Sequence, residues 1–211
     1  LKVERGVKIL RLAGSPYEMG YQHGRLLAKE IDLMVKTTLP ATAAYVALQA
    51  DSELDRAEEM LWIGQRRAEP HLPKELKVEM EGIADGVRDG GGRATLEEIL
   101  LWNTNYDQWC IYCHPNFWSC SPGPDGGGVA DEGDREGPAP LAPPAGGCSS
   151  FSAWDEGAGG GGELIFGKNE DNFNMPGQLE CRMMVVAAPD DGFGHVFMTY
   201  PGMIGLDGGV N

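Results

Sequence analysis

The chain has 211 residues, 42% of them hydrophobic, with 17 basic against 32 acidic side chains and a net charge of −15. That length gives one domain or at most two, and the apolar fraction excludes wholesale disorder. The charge argues against a nucleic-acid backbone or an anionic lipid surface as partner, since both are met with clustered Lys and Arg. No apolar run reaches the roughly 18 to 20 residues of a membrane-spanning helix. Glycine is in excess, 31 residues, about twice the usual ~7%.

The first element is a short strand over 7–12, VKILRL. The opening segment LKVERGVKILRLAG holds no signal-peptide core, so a cytoplasmic location is the expectation. Ser15-Pro16-Tyr17-Glu18 then starts a helix: Ser15 is a natural N-cap, Pro16 suits the first helical position, and Glu18 closes a capping box. Leu27, Ile31 and Met34/Val35 carry that helix over about 17–39. A second helix is predicted over 52–67, with Leu54, Ala57, Leu61 and Gly64 on one side, and a third over 73–87, with Leu76, Met80, Ile83 and Val87 as its stripe. Asp89-Gly90-Gly91-Gly92 ends the third, and Thr95 with Glu98 caps a fourth.

Residues 121–147 are dominated by Gly, Pro and acids and have almost nothing to bury, so they read as a linker. Strands are predicted after it. Segments 148–154 and 163–169, with the Gly-rich turn 157–162 between them, read as a hairpin. Segments 181–188 and 195–200 follow, separated by Pro189-Asp190-Asp191-Gly192. The sequence contains no internal repeat. The expectation is a helical portion over 1–120, a linker over 121–147 and an antiparallel meander over 148–211.

Cys148 stands where the linker meets the first of these strands, behind Gly146 and Gly147. A buried structural cysteine is the plain reading. The chemical alternative is cleavage of the Gly147–Cys148 bond, which would give Cys148 a free α-amine beside its thiol. An α-amine titrates at about 7.7–8.0, close to ideal for a general base, so one residue would hold nucleophile and base. The segment Gly167-Lys168-Asn169-Glu170-Asp171-Asn172 follows the second strand of the hairpin, which should return it to Cys148. Asn169 could donate to an oxyanion and Asp171 could orient an amine; a polar turn closing a strand is the alternative.

Cys110-Ile111-Tyr112-Cys113-His114 matches the spacing for covalent haem attachment, and with Cys120 it could instead form a zinc site. A helix-end thiol pair is the simpler reading. His23, His71 and His195 have no partner spacing, and Gly20 and Gly24 around His23 suggest close packing against another element. Ser149 and Ser150 lack the G-x-S-x-G elbow.

Three segments together resemble one family. LRLAGSPYEMGYQHGRLL is similar to the N-terminal signature of the isopenicillin-N acyltransferase-like proteins, autoproteolytic cysteine enzymes of the N-terminal-nucleophile hydrolase superfamily. GCSSF followed by LIFGKNEDNF resembles the paired-strand signature that family shares with the choloylglycine hydrolases. YPGMIGLDGGVN is similar to the family's G-x-x-G-x-x-G-x-N segment. The resemblance implies an α+β fold, a four-layer αββα sandwich, and cleavage between Gly147 and Cys148 into α and β chains that stay associated. It makes Cys148 the nucleophile, Asp171 the residue that positions it and its amine, and Asn211 a member of the oxyanion hole, with Asn169 in support. Lys168 stands where the choloylglycine relatives often have Arg; it keeps the charge without the bidentate fork, so bile-salt handling does not carry over. The implied activity is amide hydrolysis or acyl transfer on a small-molecule substrate through a thioester, with no cofactor and no metal. Family members continue beyond the position of Asn211, so 148–211 is expected to be the start of an incomplete, C-terminally truncated sheet. The rivals are a non-catalytic relative with a structural Cys148 and a c-type haem protein using Cys110, Cys113 and His114.

Overall fold

The computed structural model describes residues 1–113, 149–169, 177–205 and 209–210. The fold is α+β. The elements in chain order are β1 (Lys2–Glu4), β2 (Val7–Gly14), α1 (Pro16–Leu26), α2 (Ala28–Gln49), α3 (Leu54–Ala68), α4 (Lys74–Asp89), α5 (Leu96–Cys113), β3 (Ser149–Trp154), β4 (Leu164–Asn169), α6 (Gln178–Cys181), β5 (Met183–Pro189), β6 (His195–Thr199) and β7 (Gly209–Val210).

The expected meander is corrected by the pairing. The main sheet has the order β1-β2-β5-β6-β7, and β3-β4 form a separate two-stranded sheet. β2 runs parallel to β5, from Lys8 opposite Met183 to Gly14 opposite Pro189. The strands of the last section therefore do not form one meander: β3–β4 and β5–β6–β7 are each antiparallel in chain order, but β4 is not a neighbour of β5, and the N-terminal β2 joins the second set. The alternation in β2 and β5 explains why they pair. Leu10, Leu12, Met183, Val185 and Ala187 point one way and are buried in a single core with the helices.

Helix starts follow the expected capping chemistry. The Ser15 Oγ accepts from the Glu18 N–H and the Glu18 carboxylate accepts from the Ser15 N–H at 2.8 Å. Thr95 and Glu98 form the same reciprocal pair before α5. The long helix expected over 17–39 differs in two ways. It breaks at the fully buried Leu27, whose backbone leaves the helical region at φ −127°, ψ 24°. It then runs through Pro40 to Gln49. Pro40 removes one helical N–H, but Leu39, Thr42, Ala43 and Val46 around it are buried. Tertiary burial of that face outweighs the local cost of the ring. The segment expected to open a strand at Cys181 instead forms the short α6, and β5 starts at Met183.

α1 and α4 lie in unusually close contact, and glycines on both helices are the reason. A Cβ on Gly20 or Gly24 would overlap the backbone carbonyls of Glu79 or Ile83. A Cβ on Gly82 or Gly86 would overlap those of Tyr17 or Tyr21. Two G-x-x-x-G stretches thus face one another, and small residues at that spacing let helix backbones approach below the ordinary separation. The close packing expected from Gly20 and Gly24 is borne out. The outer seam is closed by Tyr17 Oη donating to Asp85 at 2.7 Å and Tyr21 Oη to Asp89 at 2.8 Å. The Tyr17 hydroxyl holds the Asp85 carboxyl below its usual range. At the other end, the Asp32 carboxylate on α2 accepts from the Arg93 and Ala94 N–H groups, each at 2.8 Å, and so fixes the approach to α5.

Candidate functional site

β3 and β4 pair as the antiparallel hairpin that the sequence predicts. Ser149 lies opposite Asn169, Ser150 opposite Lys168 and Phe151 opposite Gly167. The turn is made by glycines that adopt positive φ, Gly159, Gly160 and Gly162. Gly167 has a local role: a Cβ there would overlap the Phe151 ring opposite. Lys168 is exposed on the strand. Cys148, Gly147, Asp171 and Asn211 lie outside the described residues. What the described backbone does is pair the residue after Cys148 with the last residue of the strand that leads to Asp171.

The hairpin is apolar and uncovered among the described residues. Phe151 is 61% exposed and Trp154 68%, and Leu164, Ile165 and Phe166 are exposed beside them. In the main sheet, Ile9, Met184, Val186, Val196 and Met198 lie on the face opposite the helices and are partly exposed.

The third family-like segment begins with a tightly bound turn. Met203 N–H donates to the Tyr200 carbonyl at 3.0 Å, Pro201 precedes Gly202, and Gly202 has φ +83°. Those are the marks of a type II turn. Its backbone groups are held from α1 and α5. The Gly202 N–H donates to His23 Nε2 at 3.0 Å, and Trp102 Nε1 donates to the Pro201 carbonyl at 2.9 Å. The Asn103 side chain donates to the Gly202 carbonyl at 2.8 Å and accepts from the Ile204 N–H at 3.0 Å. Tyr200 packs against Trp102 with ring centroids 6.5 Å apart. His23 and Trp102 are each 1% exposed. Burial alone pushes the His23 imidazole down to about 4, so it is neutral, with its proton on Nδ1 and a lone pair on Nε2 facing the Gly202 N–H.

Sequence reasoning saw no partner for His23 and did not single out Trp102 or Asn103. Only the i to i+1 pair Trp102-Asn103 and the Pro-Gly turn signal stand in the sequence, and their meeting depends on a separation of 99 residues. Glu79, also unremarked, is pushed up to about 7 by its partial burial on α4.

The other candidates gain nothing here. Cys113 ends α5, which accords with the helix-end placement of Cys110 and Cys113; their side chains, His114 and Cys120 lie outside what is described. Among the described residues there is no group of three metal-ligating side chains. His195 Nδ1 is 3.0 Å from the Phe193 carbonyl, and its ring stacks on Phe197. Cys181 is a buried free thiol whose pKa burial pushes up, which makes it a poor nucleophile. An open groove of about 460 Å³ is lined by Ala13, Gly14, Tyr17, Glu18, Tyr21, Gln22 and Asp190, and includes none of the predicted site residues. Among the described residues no helix is long and apolar enough to cross a membrane.

No family model matches the chain. An uncharacterized protein of Archaeoglobus fulgidus is 30% identical over 204 residues, which is 95% of this chain and 30% of that relative. The chain thus spans about a third of the length of the curated relative it matches.

Proposed function

We propose that the chain is part of an autoproteolytic N-terminal-cysteine amidohydrolase or acyltransferase, with Cys148 as nucleophile after cleavage behind Gly147. The observation that carries this is the hairpin register, Ser149 opposite Asn169. It sets the position after Cys148 beside the end of the strand that precedes Asp171, which is what a nucleophile and its positioning carboxylate require. The resemblance of three ordered segments supplies the remaining roles, Asn211 for the oxyanion and Asn169 and Lys168 in support.

In the proposed reaction the Cys148 thiol adds to an amide carbonyl while its own α-amine takes the thiol proton. Donors around the carbonyl oxygen, Asn211 among them, stabilise the tetrahedral oxyanion. The leaving amine departs with that proton, and a thioester remains on the sulfur. Water then releases an acid, or a second amine takes the acyl group; either step regenerates the thiol. No metal or cofactor is required.

Two features of the fold support the αββα reading. The main sheet has helices on one face and a partly exposed apolar row, Ile9, Met184, Val186, Val196 and Met198, on the other, as a sheet needs if a second sheet is to stack on it. Cleavage at Gly147 would also leave two chains that stay joined. The seven-residue parallel ladder of β2 with β5 crosses the proposed cut, as do the bonds of His23, Trp102 and Asn103 to 201–204. The test is Cys148→Ala in the full-length protein. The proposal expects an uncleaved chain without amidase activity, and it is wrong if cleavage and activity both persist.

A further inference from the structure

Both ends of one peptide group are held by the helical layer. The Pro201–Gly202 peptide gives its N–H to His23 Nε2 and receives the Trp102 Nε1–H on its carbonyl. Type I and type II turns differ chiefly in the orientation of this central peptide, which reverses between them. In the reversed orientation the N–H would face the Trp102 donor and the carbonyl would face the His23 lone pair. Both bonds would be lost and two like groups would meet on each side. Gly202 is buried, so its N–H would have no water to turn to. The Asn103 amide reads the next two groups, the Gly202 carbonyl and the Ile204 N–H, which fixes the exit direction of the turn. A Cβ on Gly202 would press on Ile31 and Trp102, and its positive φ disfavours one in any case.

We infer that His23 is a positioning residue: with Trp102 it locks the 201–202 peptide in the type II orientation and so sets the direction in which the chain leaves the turn toward Gly205. Its effect on the reaction rests on the reading of Asn211 as an oxyanion donor. Nothing in the reaction calls on the His23 imidazole itself, whose Nε2 is already occupied by a backbone donor. Gly20 and Gly24, on the same helix, bring α1 close against α4.

The test compares wild type, His23→Gln and His23→Leu in the full-length protein. The first readout is hydrogen exchange in a proteolytic fragment covering 200–205, measured under native conditions. The second is the separate change in kcat and KM for amide hydrolysis. Leucine fills the space but accepts nothing; glutamine can offer its Oε1 to Gly202. The expected result for His23→Leu is exchange at 200–205 faster by roughly tenfold or more, and a fall in kcat with KM little changed. His23→Gln should recover much of both. Unchanged exchange in His23→Leu overturns the lock. Faster exchange with unchanged kcat overturns the positioning role, because a merely structural histidine would behave that way. Trp102→Phe tests the same peptide from its other side if His23→Leu does not fold, with the same outcomes expected. A wild-type chain without amidase activity removes the parent reading, and the exchange measurement then still decides the lock by itself.

Discussion

Replacing Gly24 by alanine sets two opposed effects against each other on α1. In an exposed helix the change is favourable by up to about 1 kcal/mol, because alanine loses less backbone freedom on folding. Here the added methyl would overlap the carbonyl oxygen of Ile83 and the nitrogen of Val87 on α4. Overpacking a tight contact typically costs about 1–3 kcal/mol. The obstructing atoms are backbone, so no side chain can swing aside, and the upper part of that range applies. The helices must separate, which also stretches the Tyr17–Asp85 and Tyr21–Asp89 bonds across the seam. The net expectation is destabilisation of about 1–2 kcal/mol, visible as a lower urea midpoint with an unchanged slope. Gly20→Ala alone should behave alike. The double variant should lose less than the two changes added together, because helices already parted accommodate the second methyl. A Gly24→Ala protein as stable as wild type, or more so, would refute the interlocked packing of α1 and α4.

The remaining predictions concern two polar side chains, His23 and Asp32. His23 is neutral in the folded chain and titrates at about 4, whereas an unfolded histidine takes its proton near 6.5. The stability contributed by keeping it neutral is therefore complete above about pH 6.5 and drains away as the pH falls toward 4, by about 3 kcal/mol in all. Urea midpoints from pH 7 to pH 4 should show a steeper loss in wild type than in His23→Gln, and parallel losses would contradict the assignment. Asp32→Ala removes the acceptor for the Arg93 and Ala94 N–H groups. It should cost about 1–3 kcal/mol and speed exchange at those two amides; an unaltered exchange rate there would count against the clasp.

Legibility in the sequence followed the range of the interaction. Local chemistry was readable: the Ser15–Glu18 and Thr95–Glu98 capping boxes and the glycine stop after Asp89 depend on residues a few positions apart, and the β3–β4 hairpin on residues no more than 20 apart. The glycines around His23 announced a close contact but not its partner, because Gly82 and Gly86 lie on another helix and nothing in the spacing of one helix names the other. Pro40 was misleading in the usual direction, since the rule that stops a helix before proline ignores the buried face that carries α2 past it. The parallel pairing of β2 with β5 was invisible for a stronger reason. Two apolar-alternating strands about 170 residues apart can be placed in either order, and only the shared core decides. At the candidate site, the strand that carries Gly167 was legible as half of a hairpin, and its glycine finds a local reason in the Phe151 ring. The clamp on Pro201–Gly202 was not, because a histidine, a tryptophan and an asparagine with no common spacing converge on it from α1 and α5.

The central claim is that the peptide bond before Cys148 is cut by the protein itself. Intact-mass measurement of the freshly purified full-length protein, with N-terminal sequencing of each species, addresses it most directly. The account predicts two chains that co-purify, the second beginning at Cys148, and a single uncut chain for Cys148→Ala. A wild-type protein that stays a single chain across position 147, or is cut elsewhere, would contradict it.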